Sequence, residues 1–264
     1  MKTRHSWTGR IVIGIATCAV PGAFAADTPA PATAPAVDPA ALVALQKMGQ
    51  ALRGLQQFAV RSEAEVEVVL DSGQKVEVEQ AIQYRVRKPD RLRVDLEGAN
   101  FQRQIFFDGG QLTVWAPNRN YYATVATKAR TLPELVANAS AEYDLELPLT
   151  DLFLWGTDAA PLSDIKAALK VGEGLVDGDR VDHWALREDG VDWQVWISQA
   201  TSLPRKLVIT GLHDPAQPEF TARLHWDTRS AIADDVFGFK PPAEATRIAL
   251  VPVAGVAIVD EEEN

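Results

Sequence analysis

The spacing of apolar residues changes along this chain, and each change marks a different kind of element. Leu45, Met48, Leu52 and Leu55 recur every three or four residues, which is the period of one helical face. Asp38 followed by Pro39 supplies an N-cap and a first helical residue, so a helix is expected from about Pro39 to Phe58. From Val60 the period falls to two. Val66, Val68 and Leu70 alternate with Glu65, Glu67 and Val69, and Val76, Val78, Ile82, Tyr84 and Val86 alternate with Lys75, Glu77, Gln83, Arg85 and Arg87. These are strands with one apolar and one wet face. Asp71-Ser72-Gly73, Glu97-Gly98, Asp108-Gly109-Gly110, Pro117-Asn118-Arg119-Asn120, Asp177-Gly178-Asp179 and Glu188-Asp189-Gly190 supply turn chemistry between such segments. Hairpin therefore follows hairpin, and the sheet is expected to be antiparallel.

A helical insert interrupts the strands. Thr131-Leu132-Pro133-Glu134 matches a capping box, and Leu135, Val136, Ala139 and Tyr143 form its apolar side. Pro148 breaks the pattern, Leu149 to Trp155 adds a turn or two, and Ser163 is expected to cap a short helical piece through Leu169. Gly172-Glu173-Gly174 reads as a turn. Strands resume near Arg180–Arg187, Val191–Ile197, Arg205–Thr210 and Glu219–Trp226. The pattern predicts an α+β fold, mainly antiparallel β, in which about ten strands curve and the scarce helices cover the concave face. Its apolar interior is either filled by side chains or left partly open for a ligand.

Both ends differ in composition from the middle. Lys2, Arg4 and Arg10 precede the apolar run Ile11 to Val20, and Ala23-Phe24-Ala25 gives a small-x-small cleavage site, so residues 1–25 read as a secretory signal peptide. The alternative is a lipoprotein acylated at Cys18, after Ile15-Ala16-Thr17. Residues 26–39 are an Ala/Pro-rich leader, 40–248 the folded domain, and 249–264 an apolar and then acidic tail. No later stretch is long enough to span a bilayer as a helix, so a periplasmic location without a transmembrane segment in the mature chain is expected.

Composition narrows the chemistry. The 264 residues carry a net charge of −10, which repels nucleic-acid phosphates. A single cysteine excludes a disulfide framework. The chain has no G-x-S-x-G, H-E-x-x-H or G-x-x-x-x-G-K motif. His183, His213 and His225 are far apart in sequence, with the first and last read as ordinary strand residues. Asp144 and Asp151 read as a solvated residue and a helix cap. Trp184, Trp193, Trp196 and Trp226 read as core or as stacking platforms. The expectation is a protein that is not an enzyme and has neither cofactor nor metal.

Three stretches carry a family resemblance. Arg87-Lys88-Pro89-Asp90-Arg91-Leu92-Arg93-Val94-Asp95-Leu96, then Phe107-Asp108-Gly109-Gly110 through Pro117-Asn118 to Tyr121-Tyr122-Ala123, and later Glu134-Leu135 through Asp151-Leu152, resemble a family of predicted periplasmic proteins of unknown function. The rhythm of a Lys-Pro strand, an Asp-Gly hairpin and a Pro-Asn turn is also similar to the LolA, LolB and RseB group. That resemblance implies an eleven-stranded half-open barrel with helices as a lid, and a role in carrying or sensing lipoprotein acyl chains. In the LolA carrier an arginine directly precedes the strand proline; here that place is Lys88, with Arg87 one residue earlier. The implied ligand is a lipid or lipidated protein in the concave groove. Val66, Val68, Ile82, Tyr84, Leu92, Val94, Leu96, Ile105, Phe107, Leu112 and Val114 are its candidate sheet-side lining, with Leu135, Val136 and Leu152 on the lid. The alternative is a protein-interaction or regulatory module with a filled core, partnered by another envelope protein.

Overall fold

The structure, a computed structural model, describes residues 36–145, 147–150, 154–155 and 162–252. The expected signal peptide, Cys18, Asp151, Leu152 and the acidic tail lie outside the described residues.

Helix α1 (Pro39–Gly54) begins where Asp38 accepts a hydrogen bond from Ala40 N at 2.8 Å, and it buries Ala41, Leu45, Met48, Gly49 and Leu52. The helix stops four residues before the expected Phe58. Phe58 stands three residues after Leu55 and so fits a helical stripe, but it also starts the alternation Phe58, Val60. The strand wins because that alternation places Phe58 in the core, 3% exposed, with its ring 5.4 Å from Trp226.

Strands β1 (Gln57–Val69), β2 (Lys75–Arg87), β3 (Arg91–Gly98), β4 (Phe101–Phe107), β5 (Gln111–Ala116) and β6 (Tyr121–Ala126) form an antiparallel meander. Helix α2 (Leu132–Tyr143) and the insert after it separate this half from β7 (Ala167–Val176), β8 (Asp179–Glu188), β9 (Val191–Ser198), β10 (Pro204–Gly211) and β11 (Glu219–Asp227). The second meander runs back so that β11 pairs with β1. The two-residue β12 (Thr246–Arg247) then adds in parallel to β6. The result is one curved, unclosed sheet of 12 strands in the order β12-β6-β5-β4-β3-β2-β1-β11-β10-β9-β8-β7. The expected mainly antiparallel, half-open architecture is present, with two more strands than the alternation revealed.

Strand β7 corrects the expected short helix through Leu169 and the turn at Gly172-Glu173-Gly174. Only residues Leu162–Asp164 are helical there, as a single 3-10 turn. The ladder with β8 shifts register between Lys170 and Gly172. Such a bulge breaks the period of two, and two glycines remove side chains that would have marked it.

The main core lies on the face of the sheet covered by α1 and α2. It joins Leu45, Met48 and Leu52 of α1 and Leu132, Leu135 and Ala139 of α2 to the inward residues of β1–β5 and β8–β11. On the opposite face, the segment after β11 returns across β4–β6. Phe239 there packs its ring 5.3 Å from Phe106, 5.8 Å from Trp115 and 5.3 Å from Tyr122.

Candidate ligand-binding site

The candidate lining residues separate into two groups. Ile82, Tyr84, Val94, Ile105 and Phe107 have no exposed surface, Leu92, Leu112 and Leu135 are 1% exposed, and Leu96 is also buried. Val114 is half-buried against the same cluster. In-register pairs such as Tyr84–Val94 and Leu92–Phe107 stack these side chains into a closed core beneath the helices. They do not face open space. Val68, 40% exposed, lies toward the solvated end of β1. Val66 and Val136 do line a cavity.

That cavity is a pocket of about 480 Å³ at the seam between the two halves of the chain. Val66 and Gln80 supply its β1–β2 wall, and Leu207, Ile209 and Phe220 its β10–β11 wall. Val136 and Ser140 descend from α2, and Leu145, Leu147, Pro148, Leu149, Thr150 and Trp155 come from the insert. The sheet wall exists because Val66 is registered opposite Phe220 and Phe220 opposite Ile209. Leu207, Ile209 and Phe220 escaped the sequence reading. Their alternation is visible, but the β1–β11 pairing that brings them beside Val66 joins residues about 150 positions apart.

The insert is held over this pocket by specific contacts. The Tyr84 hydroxyl, fully buried, donates to Pro148 O. Trp155 stacks on Trp193 with ring centroids 5.5 Å apart and planes 15° from parallel. Arg53 Nη1 donates to Trp155 O at 3.0 Å. This carbonyl sits so close to α1 that a Cβ at Gly49 would lie 2.9 Å from it. Leu149 holds a left-handed φ of 62° in the pocket wall. Such a backbone in a leucine costs on the order of 1–3 kcal/mol and persists only where surrounding contacts hold it.

Thr131 caps α2 by accepting from Glu134 N at 3.4 Å, while Glu134 accepts from Arg130 N at 2.7 Å. The capping box is thus shifted by one donor. Leu132 N donates to Pro89 O at 3.0 Å, which fixes the start of α2 to the β2–β3 turn. Lys88 Nζ donates to Leu52 O at 3.0 Å and Arg53 O at 3.1 Å, capping the carbonyl end of α1. Burial, and secondarily the Arg53 charge, hold this ammonium below the ordinary lysine range.

The histidines do not converge. His183 on β8 bonds Gln194 at 2.9 Å and stacks on Trp196 at 3.9 Å. His213 lies in a loop against Gly190, and His225 on β11 has Nδ1 3.8 Å from Asp177. Trp184 and Trp193 are core residues. Asp144 is exposed at the C-cap of α2. Among the described residues no group of three or more His, Cys, Asp or Glu side chains is placed to hold a metal ion, and no helix is long and apolar enough to cross a membrane.

Residues 41–251 match the family described as "Predicted periplasmic protein (DUF2092)". The chain belongs to the DUF2092 family. That description places the family in the periplasm, as the N-terminal pattern had implied. No curated protein matches. Among solved structures, the chain is similar to the lipoprotein LppX of Mycobacterium tuberculosis, with 14% identity over 74% of this chain and 100% of that one, at a TM-score of 0.46. A LolA superfamily protein from Nitrosomonas europaea shares 13% identity over 75% of this chain and 97% of its own, at a TM-score of 0.34. A chain of the MucA/MucB complex of Pseudomonas aeruginosa shares 17% identity over 79% of this chain and 63% of its own, at 0.42. At these scores the likenesses carry no functional inference for this DUF2092 protein, whose role is argued from its pocket.

Proposed function

We propose that this DUF2092 protein binds an acyl chain, of a lipid or of a lipidated partner, in the pocket between the insert and strands β1, β2, β10 and β11. The observation that carries this reading is the pocket itself. Its volume of about 480 Å³ lies within the roughly 300–1,000 Å³ of ordinary ligand sites, and most of its described lining is apolar. Burying a methylene is worth about 0.8 kcal/mol, so a long chain gains on the order of 10 kcal/mol gross before ordering and association costs. Affinity then needs little polar chemistry, and binding rather than catalysis is the proposed role. Val66 and Val136 are the sequence candidates that serve as lining. The buried candidates serve as the floor that keeps the sheet wall in place.

Native mass spectrometry of protein released gently from the periplasm tests this. An adduct of acyl-lipid mass that dissociates on activation is expected. A bare protein under the mildest conditions, with no uptake of added lipid, contradicts it.

A second reading, a protein-interaction module, is favoured by the edge strand β7, which residues 36–38 bridge at Ala168 but where Leu169, Val171 and Leu175 are 55%, 52% and 71% exposed. On that reading an envelope protein adds an extended apolar segment to this edge. Periplasmic crosslinking from β7, with no adduct in the pocket, separates the two.

A further inference from the structure

Among its described lining residues the pocket carries polar groups of only one kind. None of its described lining residues is charged, and its polar side chains are the Gln80 amide and the Ser140 and Thr150 hydroxyls. Among the described residues these three have no hydrogen-bond partner. They offer both donors and acceptors to a ligand head, and none offers a counter-ion.

Glu65, Glu67, Glu77 and Glu79 alternate with Val66 and Gln80 and so stand on the other face of the sheet, as does Lys75, which Glu67 holds at 2.8 Å. An ionised carboxylate or phosphate entering this mouth loses water and finds no cation among the described lining residues.

Size sets the number of chains. At roughly 30 Å³ per small group, the liquid share of one water molecule, about 480 Å³ accommodates on the order of 16 methylene-sized groups. That is one long chain.

We infer that the pocket selects a single-chain amphiphile with an uncharged head, of the monoacylglycerol class, over fatty acids, anionic lysophospholipids and lipids with two or more chains. This inference rests on the acyl-binding reading, and the test below tells the two apart. Purified protein is loaded with the uncharged dye Nile red, and displacement is measured with monolaurin, laurate, lauroyl lysophosphatidylglycerol and dilaurin at pH 8, where the laurate carboxyl is ionised. Monolaurin is expected to bind at least about tenfold more tightly than either anion, the discrimination expected from an unpaired buried charge, and more tightly than dilaurin. Ser140→Lys, at an exposed position of α2, then provides a cation at the mouth. It is expected to raise the affinity for laurate relative to monolaurin about tenfold; Gln80→Lys on the opposite wall is expected to do the same.

Equal or tighter binding of the anions to the unaltered protein overturns the selectivity. Tighter binding of dilaurin overturns the single-chain assignment. Lysine variants that still bind Nile red but do not raise laurate affinity relative to monolaurin overturn the electrostatic argument. Failure of Nile red and of all four lipids to bind overturns the acyl-binding reading itself, and the selectivity with it.

Discussion

Two glycines of α1 should respond in opposite directions to the same substitution. Gly49 and Gly54 both lie in the helix, where glycine costs about 1 kcal/mol relative to alanine through backbone entropy. At Gly54 nothing lies within 4 Å of the new methyl group, so Gly54→Ala is expected to stabilise the protein by about 0.5–1 kcal/mol. At Gly49 the same methyl group meets Trp155 O at 2.9 Å and Arg53 Nη1 at 3.0 Å. A flexible guanidinium moves cheaply. The carbonyl is backbone, and its residue is also stacked on Trp193, so the insert has to shift. Overpacking of this sort costs about 1–3 kcal/mol, which outweighs the helical gain. The two variants are therefore expected to differ by about 1–3 kcal/mol in urea unfolding followed by tryptophan fluorescence. Gly49→Ala should also weaken Nile red binding, because Trp155 lines the pocket. If Gly49→Ala is as stabilising as Gly54→Ala and binds Nile red normally, the insert is not seated on α1 in the way described.

Tyr84→Phe removes the hydroxyl that bonds Pro148 O; a loss of about 1–3 kcal/mol in urea unfolding is expected, with faster ligand release measured by stopped-flow fluorescence. Val136→Arg places a charge among the apolar lining on a half-buried position; Nile red binding should be lost while the unfolding free energy changes by less than about 1 kcal/mol. His183 is held below the ordinary histidine value of 6.5 by burial and, to a lesser degree, by the Lys206 charge, against the opposing effect of its bond to Gln194. The unfolded chain then binds a proton first as pH falls, so stability should begin to drop as pH passes below about 6.5 and level off under the depressed folded value. A nuclear magnetic resonance titration of the His183 ring with a midpoint at or above 6.5 contradicts that assignment.

The parts of the fold legible in the sequence are those with local signals. The alternation in β1 and β2, the Asp38-Pro39 start of α1 and the Thr131 cap of α2 each depend on neighbours within a few residues, and each is present in the structure. Strand β7 was hidden because its bulge at Lys170/Gly172 interrupts the period that marks a strand. The two residues of β12 show no period at all. For the site, alternation identifies which side chains turn inward, but it does not separate those that pack against a helix from those left facing a gap. Ile82 and Val66 share one face of adjacent strands, yet the first is closed over and the second borders the pocket. That difference depends on where the insert comes down, through Tyr84–Pro148, Trp155–Trp193 and the bare Gly49. The first of these contacts joins residues 64 positions apart, beyond the reach of any window that reads periodicity.

The most direct test of the central claim is a crystal structure of the protein grown with a monoacyl lipid carrying bromine at the chain terminus. An anomalous bromine peak is expected inside the pocket, among Val66, Ile209, Phe220 and the insert residues Leu145 and Leu147. A bromine peak confined to the outer face or to the β7 edge, with the pocket occupied only by water, contradicts it.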